Sequence, residues 1–436
     1  MSPNIYFSFP SNALIQFPPS SDPSTLPPPP AGTASFAPPF TIPASIYNSA
    51  YDARVPLTIA SVYAVTVVTL NKVNAARGNK PWAISKTAAF RWLVVLHNVL
   101  LALYSAWTFV GMYKGLSRTI PSVYGPDGVI GVVDSLCKLH GPAGTENAIA
   151  YSPGTSSWQD APGLEGGRLW NEGLAFYGYF FYLSKFYEVV DTAIILAKGK
   201  RSSTLQTYHH AGAMLCMWAG MRFMTPAIWM FCFFNSGVHA LMYTYYTITS
   251  FSVRVPKAIK QTLTTLQISQ FIIGVYYAAA HSFVSYDIPA SSTSASSPSA
   301  FPAPSPNRKV LYAGPAGAAD QKYETVSCIN TSGQTFAVWL NVFYLGPLMY
   351  LFMRFFYRSY IRRASPRVAG GKGAAAAAAV VGAGKGVRGC KNAKMRNDGL
   401  KVEMGGASEG AAGRLGSEVE KLRGCSRLNA PPSRSG

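Results

Sequence analysis

The chain has 436 residues, of which 49% are hydrophobic and 13% charged, and it carries a formal net charge of +20. Soluble domains usually hold about 25% charged residues, so the low charge and long apolar runs exclude a string of ordinary soluble domains. They point instead to one all-α polytopic membrane domain with polar ends. The basic excess does not indicate nucleic acid, because Lys and Arg fall in short connections between apolar runs and in the tail, without any zinc module or RNA-binding motif.

In chain order, residues 1–49 are rich in Pro and Ser, with a Pro run from Pro27 to Pro30. No basic stretch followed by an apolar core precedes a cleavage site, so the segment reads as disordered and luminal, not as a signal peptide. Seven stretches long enough to cross the apolar core follow, at roughly 54–73, 88–113, 169–197, 204–222, 225–250, 258–284 and 334–360. They define a membrane domain at 50–361. Residues 362–436, with an Ala/Gly stretch at 373–384, read as a disordered basic tail suited to the cytosolic leaflet.

Loop charge orients the spans. The connections after spans one, three and five hold Lys72, Arg77, Lys80 and Lys86; Lys198, Lys200 and Arg201; and Arg254, Lys257 and Lys260, with no acid among them. The acids gather at 114–168 and 285–333, so the positive-inside rule places the N-terminus in the lumen and the C-terminus in the cytosol. The sequon Asn330-Thr331-Ser332 then falls in a luminal loop. So do Cys137 and Cys328, which we expect to be disulfide-bonded, the alternative being two unrelated cysteines.

Polar residues within the spans are costly and normally face a bundle interior. Span three contains Lys185, Glu188, Asp191 and Thr192, whose spacing puts Lys185, Glu188 and either Asp191 or Thr192 on one helical stripe. That stripe also reads as a packing salt bridge. Span four opens with Gln206, His209 and His210; neighbouring histidines diverge by about 100°, so both reach one pocket only if it wraps that corner. Asn235, His239, Tyr243 and Tyr246 form a continuous stripe on span five, and Thr264, Gln267 and Gln270 share a face of span six. Each alone reads as an interhelical hydrogen-bond ladder; four together describe a polar, titratable pocket buried among apolar helices.

Lys185–Thr192 resembles the KxxExxDT motif of the ELO family of fatty acid elongases. His209-His210 is similar to its HxxHH box, Asn235–Tyr246 to its NxxxHxxMYxYY segment, and Thr264–Gln270 to its TxxQxxQ segment. The first His of the box is Gln206 here, similar to a variant in some polyunsaturated-fatty-acid elongases. The resemblance implies seven transmembrane helices around a buried tunnel in the endoplasmic reticulum membrane. It also implies condensation of acyl-CoA with malonyl-CoA to 3-oxoacyl-CoA, CO2 and CoA, with both thioesters as substrates and no cofactor or metal. His209 would accept the acyl group as an acyl-imidazole, Asp191 or Glu188 would orient an imidazole or take its proton, and His239, Asn235 and Tyr243 would donate to the oxyanions. His210 and Gln206 would support the geometry, while Lys198, Lys200, Arg201 and the nearby Lys185 would meet the CoA phosphates. The implied partners are membrane lipid and the ketoacyl reductase, dehydratase and enoyl reductase of the elongation cycle, with a homodimer left open.

Three other readings compete. A histidine-box metal enzyme needs more ligands than six histidines provide when His97 and His281 stand isolated and His140 is luminal. A thiol nucleophile at Cys216, seven residues after His209, lacks a neighbouring base. A seven-helix receptor shares the topology, but span seven lacks a Schiff-base lysine and a receptor has no need of paired histidines behind a basic loop.

Overall fold

A computed structural model describes residues 4–21, 24–29, 36–125, 128–138, 150–152, 157–159, 167–289, 310–311 and 323–362. The helices are α1 (Ala44–Ala50), α2 (Arg54–Ala76), α3 (Ala88–Thr119), α4 (Gly128–Cys137), α5 (Gly167–Asn171), α6 (Leu174–Tyr187), α7 (Val189–Ala197), α8 (Thr204–Arg222), α9 (Pro226–Ser250), α10 (Lys257–His281) and α11 (Ser332–Phe356). Strands β1 (Ile5–Phe7), β2 (Ala150–Ser152), β3 (Ser157–Gln159), β4 (Val284–Pro289), β5 (Val310–Leu311) and β6 (Tyr323–Ser327) complete it. Helices α2, α3 and the run Ser332–Ile361 are long and apolar enough to cross a membrane. Their exposed Val62, Val65, Trp92, Leu96 and Phe343 form the apolar exterior that lipid would cover.

Local chemistry sets the helix ends. The hydroxyls of Thr87, Ser203 and Thr331 accept from the backbone N–H of Phe90, Gln206 and Gln334, capping α3, α8 and α11. Pro226 occupies the first turn of α9, where its missing N–H costs nothing. In the bundle, α3 lies along α9, α8 packs on α2, α6 and α11, and α10 bridges α9 and α11. Phe176, Tyr182, Met217, Met221, Trp229 and Leu348 fill the core among α6, α8, α9 and α11.

The expected third span is not one helix. Gly173, at φ 78°, precedes α6, and Glu188 separates α6 from α7. At that break the Asp191 N–H bonds the Glu188 carbonyl at 3.1 Å, a tightened i→i+3 turn. Across it Lys185 still pairs with Glu188 one turn on, while Asp191 bonds His97 and Tyr243.

The loops expected in the lumen are not purely irregular, so the all-α expectation needs correction. An antiparallel sheet in the order β1-β4-β6-β5 gathers there, and the Cys137–Cys328 disulfide ties α4 to the end of β6. Beneath it Arg168 binds Asp134 at 3.0 Å and the Tyr286 hydroxyl donates to Asp134 at 2.8 Å. The Lys138 ammonium donates to the Ser327 and Cys328 carbonyls; burial pushes its pKa down to about 7.

The described part of residues 1–49 is ordered, contrary to expectation. β1 pairs with β4, Arg222 donates to the Ser21 carbonyl at 2.6 Å, and the Trp170 indole donates to the Leu26 carbonyl at 3.3 Å. The segment is held by the bundle, against which Leu14, Leu26 and Tyr47 are buried. Helix α1 also crosses the expected boundary at 49/50. Of the expected tail, all but Arg362 lies outside the described residues, as does His140.

Candidate functional site

A cavity of about 730 Å³ opens at the bundle end opposite the disulfide. Its exposed side is the turn between α7 and α8. Gly199 adopts φ 70° there, and a Cβ on it would stand 2.6 Å from the Asn79 carbonyl oxygen, so only glycine lets the connection after α2 pass so closely. The turn sets Lys198, Lys200 and Arg201 on the cavity wall, Lys200 and Arg201 being exposed. Ser203 then starts α8, so Gln206, His209 and His210 follow within two turns and line the same cavity. The pocket does wrap the corner between the two histidines, whose ring centroids are 5.3 Å apart.

On the buried side Glu188 is the hub. Its Oε1 accepts from Lys185 Nζ at 2.6 Å and lies 3.5 Å from His239 Nδ1, while Oε2 lies 3.9 Å from His210 Nδ1. His210 Nδ1, His239 Nδ1 and Glu188 Oε2 are buried without a hydrogen-bond partner among the described residues. His209 sits 6.4 Å from His239, ring to ring, and its Nδ1 is 3.0 Å from the Tyr344 hydroxyl on α11.

Several expected roles move. Lys185 does not join the basic mouth: its side chain is 4% exposed, salt-bridged to Glu188 and 3.4 Å from Asn235 Oδ1. Asn235 thus turns its oxygen to that ammonium and does not line the cavity, so it is not placed as an oxyanion donor. Asp191 lines the cavity but orients His97, at 2.9 Å, and not a box histidine. Tyr243 also lines it, yet its hydroxyl donates to Asp191 at 2.5 Å. Thr192 leaves the wall to bond Tyr63 at 2.9 Å and accept from Gln206 at 3.2 Å. Tyr246, Gln267 and Gln270 line the cavity, whereas Thr264 faces Tyr360 at 3.4 Å.

Two groups escape a linear reading. His97, isolated in sequence, joins Asp191 across 94 positions, and Tyr344 reaches His209 across 135. A lone polar residue in an apolar span is the only signal either leaves. Cys216 is 1% exposed with its sulfur 3.9 Å from the Leu340 carbonyl, away from the cavity, which removes the thiol-nucleophile reading.

Glu188, His209 and His239 each bring a ligand atom within 4.8 Å of the others. The Lys185 ammonium already occupies that carboxylate, and a second cation beside it is electrostatically opposed. The other close set, Cys137, Cys328 and His281, has spent both sulfurs in the disulfide.

The chain is similar to very long chain fatty acid elongase 3 of Homo sapiens, 36% identical over 104 residues, which are 24% of this chain and 38% of the relative. It is similar to long chain fatty acid elongase 1 of Caenorhabditis elegans, 28% identical over 195 residues, 44% and 56% of the two chains. With very long chain fatty acid elongase 6 of Homo sapiens the identity is 34% over 99 residues, 23% and 37% of the chains. These matches span from about a third to just over half of the relatives' lengths. The family model described as ELO, the GNS1/SUR4 family, matches residues 49–368. With a match that runs from α1 past α11 and encloses every wall of the cavity, the chain belongs to the ELO family.

Proposed function

We propose that the protein is a fatty acid elongase that condenses a long-chain acyl-CoA with malonyl-CoA. The observation that carries this reading is a single cavity joining buried His210, His239 and Glu188 and half-buried His209 to the exposed Lys200 and Arg201. Cationic side chains suit the CoA phosphates at the rim, and imidazoles suit acyl transfer within.

In this reading a His209 nitrogen attacks the thioester carbon, the C–S bond breaks, and CoA leaves as thiolate and takes up a proton. Malonyl-CoA then loses CO2, and the resulting enolate carbon attacks the acyl-imidazole, releasing His209 and forming 3-oxoacyl-CoA. Overall, one proton is consumed, and one CO2 and one CoA are released. His239, held near the Glu188 carboxylate, is the group best placed to donate to the developing oxyanions. His210 and Gln206 hold the wall. The apolar core beyond the cavity would receive the acyl chain, and seven membrane-crossing segments would enclose it, the expected third consisting of α6 and α7.

The domain limits at 50 and 361, with a basic cytosolic tail at 362–436, belong to the same proposal. So do a luminal N-terminus, residence in the endoplasmic reticulum, and cooperation with the reductases and dehydratase of the cycle. Release of labelled CO2 from carboxyl-labelled malonyl-CoA, dependent on acyl-CoA, tests it with purified protein. His209→Ala should abolish release while membrane insertion persists. Wild-type yield from that variant refutes the acyl acceptor, and ligand-dependent partner recruitment without turnover in the unaltered protein favours a receptor.

A further inference from the structure

The Tyr344 hydroxyl makes two contacts with one residue. It is 2.9 Å from the His209 backbone carbonyl and 3.0 Å from His209 Nδ1. A carbonyl oxygen only accepts, and a phenol has one proton, so that proton goes to the carbonyl. The phenol oxygen is then an acceptor toward the ring, and Nδ1 must carry hydrogen. The other nitrogen, Nε2, makes no hydrogen bond among the described residues, and the side chain lines the cavity.

The phenol is held in place by its surroundings. A Cβ on Gly212, three residues after His209 on α8, would stand 2.1 Å from Tyr344 Cε2, so the ring lies directly against bare backbone. Tyr208 stacks on it at 5.4 Å between ring centroids, and the Tyr208 hydroxyl donates to the Tyr344 carbonyl at 3.2 Å. Tyr344 itself is 8% exposed.

We propose that Tyr344, seated on Gly212, is a positioning residue that fixes His209 in the tautomer protonated at Nδ1, so that Nε2 presents its lone pair to the acyl thioester. The inference rests on His209 being the acyl acceptor. It deepens that reading by naming the attacking nitrogen and the group that selects it. The tautomer of a working imidazole is set by the partner of its other nitrogen.

The full-length protein, labelled with 15N-histidine in detergent micelles, provides the test. Its six histidines allow the His209 signals to be assigned by their loss in His209→Gln. The expected spectrum shows protonated Nδ1 and bare Nε2 in the unaltered protein, and a mixture in Tyr344→Phe. Tyr344→Phe should lower kcat about tenfold, the worth of one hydrogen bond on the reacting ring, with KM for acyl-CoA nearly unchanged. Gly212→Ala, which displaces the ring but keeps the phenol, should move spectrum and kcat the same way. Nε2–H in the unaltered protein, or an unchanged kcat in Tyr344→Phe, overturns the proposal. Elongation surviving in His209→Gln defeats the acyl-acceptor reading instead; the tautomer, read without substrate, is judged separately.

Discussion

Replacing Lys185 by Met removes the ammonium that meets Glu188. At 2.6 Å and an effective dielectric constant of about 20, the attraction between the two charges is roughly 6 kcal/mol. Both side chains are almost wholly buried, at 4% and 2% exposure, so desolvation offsets part of this. Deleting one partner of such a pair costs about 3–5 kcal/mol, because the survivor stays in the interior uncompensated. Glu188→Gln should cost a similar amount by stranding Lys185. The double variant should lose much less than the sum of the two, since neither charge is left alone. Thermal unfolding of detergent-purified protein, followed by size exclusion, measures all three, and malonyl-CoA decarboxylation reads activity alongside. The double variant should be folded and inactive, because the carboxylate facing His210 and His239 is gone. Additive penalties, or Lys185→Met as stable as the unaltered chain, would refute the buried pair; an active double variant would refute the part given to Glu188.

Removing the charges of Lys198, Lys200 and Arg201 together should raise KM for acyl-CoA about tenfold while changing kcat little, and added salt should mimic the effect in the unaltered enzyme. Steady-state kinetics decides; an unchanged KM places the CoA phosphates elsewhere. Lys138 gives a pH dependence. Its amine sits near 7 when buried and at 10.5 in the unfolded chain, so between those values the unfolded state holds more protons and stability rises with pH. The gain is about 5 kcal/mol in all; Lys138→Met should flatten the rise in unfolding temperature across that window. The Cys137–Cys328 bridge closes 191 positions, and its loss in Cys137→Ser/Cys328→Ser should cost about 2–5 kcal/mol, seen as a lower unfolding temperature.

The hydropathy of the chain is enough to delimit several of its long helices. The edges of α2, α8, α9 and α10 lie within about three residues of the stretches read from composition, because burial in an apolar medium demands continuous apolar length and the backbone must satisfy itself by helix. The cysteine pairing was legible for a similar reason: only two cysteines fall outside both the spans and the tail. Residue spacing also identified the imidazoles and acids. Spacing along one helix, however, carries no information about which element faces it. Only tertiary packing decided that Lys185 serves Glu188 rather than CoA, and that Asp191 belongs to His97 and Tyr243. Glu188 and Asp191 line the same cavity, yet each meets different partners, and nothing in the local residue pattern announces which. The Tyr344 contact is the extreme case: it depends on α11 crossing α8 where Gly212 has no side chain, a coincidence of two surfaces and not of any pattern in either.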